Sequence, residues 1–171
     1  MEKIIVDRIR PFHFPKEIEN LYGEFLIRQQ NEVAAKILEF TLNDLMFFTQ
    51  YAGNDDCLKA SVFQQMTSNR GYVPLDAYCA RAIYEGREML SDLMTLWFNN
   101  QYYAGNKNAR TIMFLGNIIA RDDTDVNHFV FFKSIPHSDN VEFLPYEDDP
   151  AFSGVEDSII VFKPEFIKRI I

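Results

Sequence analysis

Basic charge is what this chain most lacks. Seventeen Lys and Arg stand against 25 Asp and Glu, a formal −8 at pH 7. A protein that neutralises phosphates needs the opposite balance, so direct nucleic-acid binding is disfavoured. Cysteine is scarce as well. Cys57 and Cys79 offer neither a disulfide framework nor a close metal-ligand pair, and they fit a reducing compartment. Long apolar runs are absent: no window approaches the roughly 20 residues of a membrane span. The N-terminal MEKIIVDRIRPF carries acids and no apolar run of signal-peptide length. The expectation is a cytoplasmic protein, in the host cytoplasm if viral, with no membrane partner.

Glycine is sparse, with seven scattered copies, and the phosphate-cradling P-loop and dinucleotide fingerprints, which depend on clustered glycines, do not occur. No G-x-S-x-G elbow occurs either. Histidine is limited to His13, His128 and His137. No HxH, HExxH or HxxxH spacing links them, so a zinc site would have to be assembled from distant segments. His137-Ser138-Asp139 holds the residue types of a hydrolase triad, but adjacent residues cannot reach triad geometry. Asp123, Asp125 and Asn127 occupy the first three liganding positions of a calcium loop, yet His128 stands where that loop needs glycine and Ser134 where it needs a bidentate Glu. These residues read as an Asp-rich turn. Neither a cofactor, a metal nor a catalytic set is expected.

What the chain has is apolar and aromatic residues: 47% hydrophobic, 15% aromatic, with 16 Phe against one Trp. That is enough for a single domain over residues 1–171 with a real core, and neither repeats nor low-complexity linkers suggest a second. The strongest periodicity is in Leu75–Tyr103, where Leu75, Cys79, Ala82, Ile83, Leu90, Leu93, Met94 and Trp97 recur at three- and four-residue steps. One long helix is predicted there, with Pro74 and Asp76 at its start and Gly105 at its stop. Gly86 lies inside it, which suggests that another backbone packs close by.

Before that helix, Lys3–Ile9 reads as a short strand and RPFHFP as an extended connector. Pro15 starts a helical region whose apolar residues continue to Phe48, as one helix or two broken at Arg28–Glu32, with Gly53 as the stop. Asn54–Asp56 caps a shorter helix carrying Leu58, Val62, Phe63 and Met66 inward, ended by Gly71. After it, Thr111–Ala120, His128–Ile135, Val141–Leu144 and Ser158–Phe162 are β-rich runs separated by the turns 122–125 and 136–140. Residues 146–157 form an acidic loop, and Pro164 opens a last helical turn. The predicted class is α+β: a helical part, 15–105, of three to four helices packed on a β-rich acidic part, 110–163. The latter is an antiparallel sheet of about four strands, with the N-terminal strand as a candidate edge.

Acidity is concentrated late. Residues 111–171 hold 5 Lys/Arg and 11 Asp/Glu, against 12 and 14 in residues 1–110. That asymmetry points to a non-enzymatic interaction protein whose partner is a basic protein, the logic by which inhibitors, immunity proteins and phage-type accessory factors block cationic sites. Candidate partner-binding residues are Asn99, Tyr102, Tyr103, Asp122, Asp123, Asp125, Glu147, Asp148, Asp149, Glu156 and Asp157, and the working surface is expected where the end of the long helix meets the turn at Asp122–Asp125. Two other classes compete. One is a structural subunit of an assembly, with its aromatics on the surface; the other is a small enzyme built from dispersed carboxylates and His128.

Overall fold

The computed structural model describes residues 2–48, 57–103, 110–135, 140–148, 152–153 and 157–171. Gly53, the Asn54–Asp56 helix start, Gly105, the turn residues 136–139 with His137, and Asp149 and Glu156 lie outside the described residues. In chain order the elements are β1 (Ile4–Ile5), α1 (Lys16–Tyr22), β2 (Phe25–Gln30), β3 (Glu39–Phe40), β4 (Leu45–Phe48), β5 (Cys57–Leu58), α2 (Ala60–Asn69), β6 (Val73–Pro74), α3 (Ala77–Glu85), α4 (Arg87–Tyr103), β7 (Thr111–Arg121), β8 (His128–Ser134), β9 (Val141–Glu147), β10 (Phe152–Ser153), β11 (Asp157–Phe162) and α5 (Pro164–Ile170).

A seven-stranded sheet runs in the order β4-β11-β7-β8-β9, with β2 also on β7 and β6 also on β11. Its strands alternate side chains between two covered faces. Ile112, Phe114, Val130, Phe132, Phe143, Ile160 and Phe162 enter one core with α3 and α4. Their neighbours Met113, Leu115, Phe129, Phe131, Leu144, Ile159 and Val161 enter another with α2. Helices on both faces explain why β7, β8 and β11 read as nearly unbroken apolar runs, since period-two polarity disappears when neither face meets water.

The predicted architecture needs correction in four respects. The sheet has seven strands rather than about four, and it is mixed: β7, β8 and β9 form the expected antiparallel meander, but β11 runs parallel to β7. Helices are interspersed with strands rather than gathered in an N-terminal layer, because residues 25–48 form β2, β3 and β4. The N-terminal strand joins no edge of this sheet; β1 pairs with β3 as a separate two-stranded ribbon. Finally, Leu75–Tyr103 is two helices. α3 ends at Gly86, whose backbone (φ −84, ψ 84) leaves the helical region before α4 begins.

Gly86 therefore marks a joint. The nearest atoms a Cβ there would meet, Ala82 O, Met89 Cβ and Ile83 O at 3.4–3.8 Å, belong to the two helices it joins and stand at van der Waals distance. Ends are better matched. Pro164 opens α5, Gly71 (φ +77) follows α2, and Glu17 and Glu19 lie in the first turn of α1, but α2 begins only at Ala60, with Leu58 in β5 rather than on the helix and Val62 exposed rather than inward. Among the described residues no helix is long and apolar enough to cross a membrane.

Candidate functional site

β7 feeds the turn that holds Asp122, Asp123 and Asp125, all exposed, and β8 returns from it. Glu147, the last residue of β9, pairs with His128, and the Asp148 amide donates to the Asn127 carbonyl at 2.8 Å. Four exposed carboxylates, Asp122, Asp123, Asp125 and Glu147, thus gather at one end of the sheet. Among the described residues none of the four forms an ion pair, whereas Glu39, Glu85, Asp44 and Asp76 are each matched to a Lys or Arg. Two cations share this end: Arg28 donates to the Arg121 carbonyl at 3.1 Å.

Of the other candidate residues, Asp148 has its backbone at this end but its side chain turned away, and the rest lie elsewhere. Asp148 is half-buried, and its Oδ1 accepts from the Ser61 amide at 3.0 Å, so it faces the N-terminus of α2. Asp157 is 9% exposed and accepts from the Thr111 hydroxyl inside the sheet. Asn99 is exposed on α4, and Tyr102 and Tyr103 are the last residues of that helix. One turn earlier, Trp97 Nε1 donates to Ser158 Oγ at 2.9 Å, and Ser158 pairs with Ile112 at the start of β7. The helix end and the Asp122–Asp125 turn therefore sit at opposite ends of β7, roughly 30 Å apart at about 3.3 Å per residue. They do not form one surface.

His128, the histidine of the enzyme alternative, is half-buried at the acidic end, its ring 4.9 Å from that of Phe25. Burial pulls its pKa below the ordinary value, against the opposing pull of the Val126 carbonyl 3.1 Å from Nδ1 and of Glu147. The most deeply buried titratable groups belong to the fold. Asp76 caps α3 by accepting from the Cys79 amide at 2.9 Å, and it pairs with Arg8 at 2.7 Å. The Cys79 thiol beside them is pushed far up by burial, which leaves it an inert thiol.

Sequence reasoning passed over a second place. The RPFHFP connector crosses α3, held by Arg81, whose guanidinium donates to the carbonyls of Pro11 (2.6 Å), Asp7 (2.8 Å) and Arg10 (3.1 Å). Arg10 reaches over to both carboxylate oxygens of Glu85, at 2.9 and 2.7 Å. A cleft of about 370 Å³ opens here, with Phe14, Tyr84 and Phe143 as its apolar wall and Arg10, His13 and Glu85 at its polar side. His13 Nδ1 lies 2.7 Å from Glu19 Oε1. The signal for His13 was available: in an extended segment alternate residues face opposite sides, so burying Phe12 and Phe14 turns His13 outward. Nothing in the spacing announced Glu19 as its partner.

The chain matches no protein-family model, and neither a curated protein nor a solved structure proved similar to it.

Proposed function

We propose that this protein is a non-enzymatic interaction protein that docks a basic protein surface against the acidic end of its sheet, in the manner of an inhibitor, immunity protein or accessory factor. One observation carries the reading. Asp122, Asp123, Asp125 and Glu147 are exposed together without an ion pair among the described residues, so their charge is available to a cationic partner. Clustered like charge of this kind raises encounter rates and rejects acidic competitors. Asp148 and Asp157 serve α2 and the sheet interior in this reading, and Asn99, Tyr102 and Tyr103 stand apart from the docking end. Among the described side chains, 12 of 14 phenylalanines are buried, which favours this reading over an assembly subunit with an aromatic surface.

The test is kinetic. With the partner captured from the source cell and purified, stopped-flow association is measured for the wild type and for the variant Asp122→Asn/Asp123→Asn/Asp125→Asn/Glu147→Gln across a salt series. Steering through these four groups predicts association slower by about tenfold or more at low salt, with a flattened salt dependence. Equal rates and equal salt slopes would remove the acidic end from the function.

A further inference from the structure

Beside the cleft, three side chains of metal-ligand type converge. A ring nitrogen of His13, a Glu19 carboxylate oxygen and a Glu24 carboxylate oxygen all lie within 4.8 Å of one another, and His13 Nδ1 is 2.7 Å from Glu19 Oε1. The geometry points to a binding site for a divalent first-row transition metal of the zinc class, held by His13, Glu19 and Glu24, with the remaining coordination open to solvent at the rim of the cleft.

The donor set selects the ion. Two carboxylates bring the charge that offsets a divalent cation, while the imidazole nitrogen favours zinc, cobalt, nickel or copper over magnesium and calcium, which prefer oxygen throughout. Three protein ligands with an open position is the ligand count of zinc centres that keep a site for another group. Tetrahedral metal–ligand bonds of about 2.0–2.2 Å place donors roughly 3.3 Å from each other. His13 Nδ1 and Glu19 Oε1 are now closer than that, at 2.7 Å, and all three donors lie within 4.8 Å of one another, so side-chain rotation at the exposed His13 and Glu24 is the adjustment the site calls for.

Its backbone is already held. His13 sits between Phe12 and Phe14, which are 6% and 4% exposed. Glu24 directly precedes Phe25, 4% exposed, whose ring meets that of Phe14 edge-on at 5.7 Å. The first and third ligands are thus clamped to each other through their buried neighbours. Gly23, at φ +87, turns the chain after α1 so that Glu24 comes back toward Glu19. The short contact between His13 and Glu19 is a hydrogen bond in the metal-free chain, and a bound cation takes the place of its proton.

Titration calorimetry with zinc chloride, and separately with magnesium chloride, tests this on the full chain. The wild type should bind one zinc ion per chain and should not exchange it for excess magnesium. His13→Ala and Glu24→Gln should each weaken zinc binding about tenfold or more, while His128→Ala leaves it unchanged. Both ligand side chains are exposed, so the metal-free variants should keep the wild-type circular dichroism and denaturant midpoint, which separates lost ligands from lost fold. Failure of the wild type to bind zinc overturns the site, as does binding within twofold of wild type in either ligand variant.

Discussion

A Cβ on Gly116 would stand 2.8 Å from the backbone N and Cα of Asp76. The position admits only glycine because the partner edge of β7 divides there, β11 pairing with residues 111–113 and β2 with residues 117–121. Into that gap comes the start of α3. The Gly116 amide donates to the Leu75 carbonyl, and the fully buried Asp76 carboxylate gathers Arg8, Gln30 and the Cys79 amide at 2.7, 3.0 and 2.9 Å. From sequence Asp76 reads only as a first-turn acid; its partners come from segments that meet only in the fold. His128 poses a different residue-scale question, since burial lowers its pKa from an ordinary value near 6.5. The unfolded chain then takes up a proton that the folded chain resists, so the native state is most favoured above about pH 6.5 and loses stability as pH falls toward the depressed folded value. His128→Gln removes that proton uptake. Between about pH 7.5 and 5 the denaturant midpoint of the wild type should fall further than that of the variant. Parallel pH profiles would show that the ring titrates alike in both states.

At the scale of elements, α2 lacks a cap of its own. Lys59, at its N-cap, supplies no side-chain hydrogen bond, and the Ser61 amide is met instead by Asp148, just past the end of β9. A carboxylate at a helix N-terminus both accepts an orphan N–H and opposes the helix dipole. Asp148→Ala should therefore lower stability by about 1 kcal/mol in equilibrium denaturation, and a change near zero would assign the carboxylate to the surface after all. Elements with local signals were legible: β7 and β8 as apolar runs, α5 from Pro164, the end of α2 from Gly71. Residues 25–48 were not, because Leu and Ile at helical spacing there mimic an amphipathic helix. Two local signals do break it. Asn31 Oδ1 accepts from the Val33 and Ala34 amides, and Asp44 accepts from the Thr41 amide and hydroxyl, so each turn is built by a side chain. The parallel pairing of β7 with β11 had no local signal, since more than thirty residues separate the two strands. The site divides similarly. Asp122, Asp123, Asp125 and Glu147 could be read from charge alone, whereas the meeting of His13 with Glu19 and Glu24 depends on how the chain turns at Gly23 and on the Phe14–Phe25 contact.

For the molecule as a whole, ion pairs hold segments together, and among the described carboxylates that form none, four are gathered at one end of the sheet. Lys3 meets Glu39 across the β1–β3 ribbon, Arg169 ties α5 to Asp44, and Arg10 ties the connector to Glu85. Asp122, Asp123, Asp125 and Glu147 support no such link among the described residues, and the pairing of β8 with β9 brings Glu147 to the end of the sheet that already carries the other three. Their mutual repulsion counts against the native state and is relieved by salt. Replacing all four by amides raises the formal charge from −8 by four units. At physiological salt the variant should keep the wild-type stability within about 0.5 kcal/mol. At low ionic strength it should be the more stable protein, because the wild type alone carries the repulsion, and added salt should stabilise the wild type more. Denaturant midpoints in a salt series measure both. A variant that is less stable at every salt concentration would show that these carboxylates hold the fold, and a slower association by the same variant would then no longer speak for docking at this end.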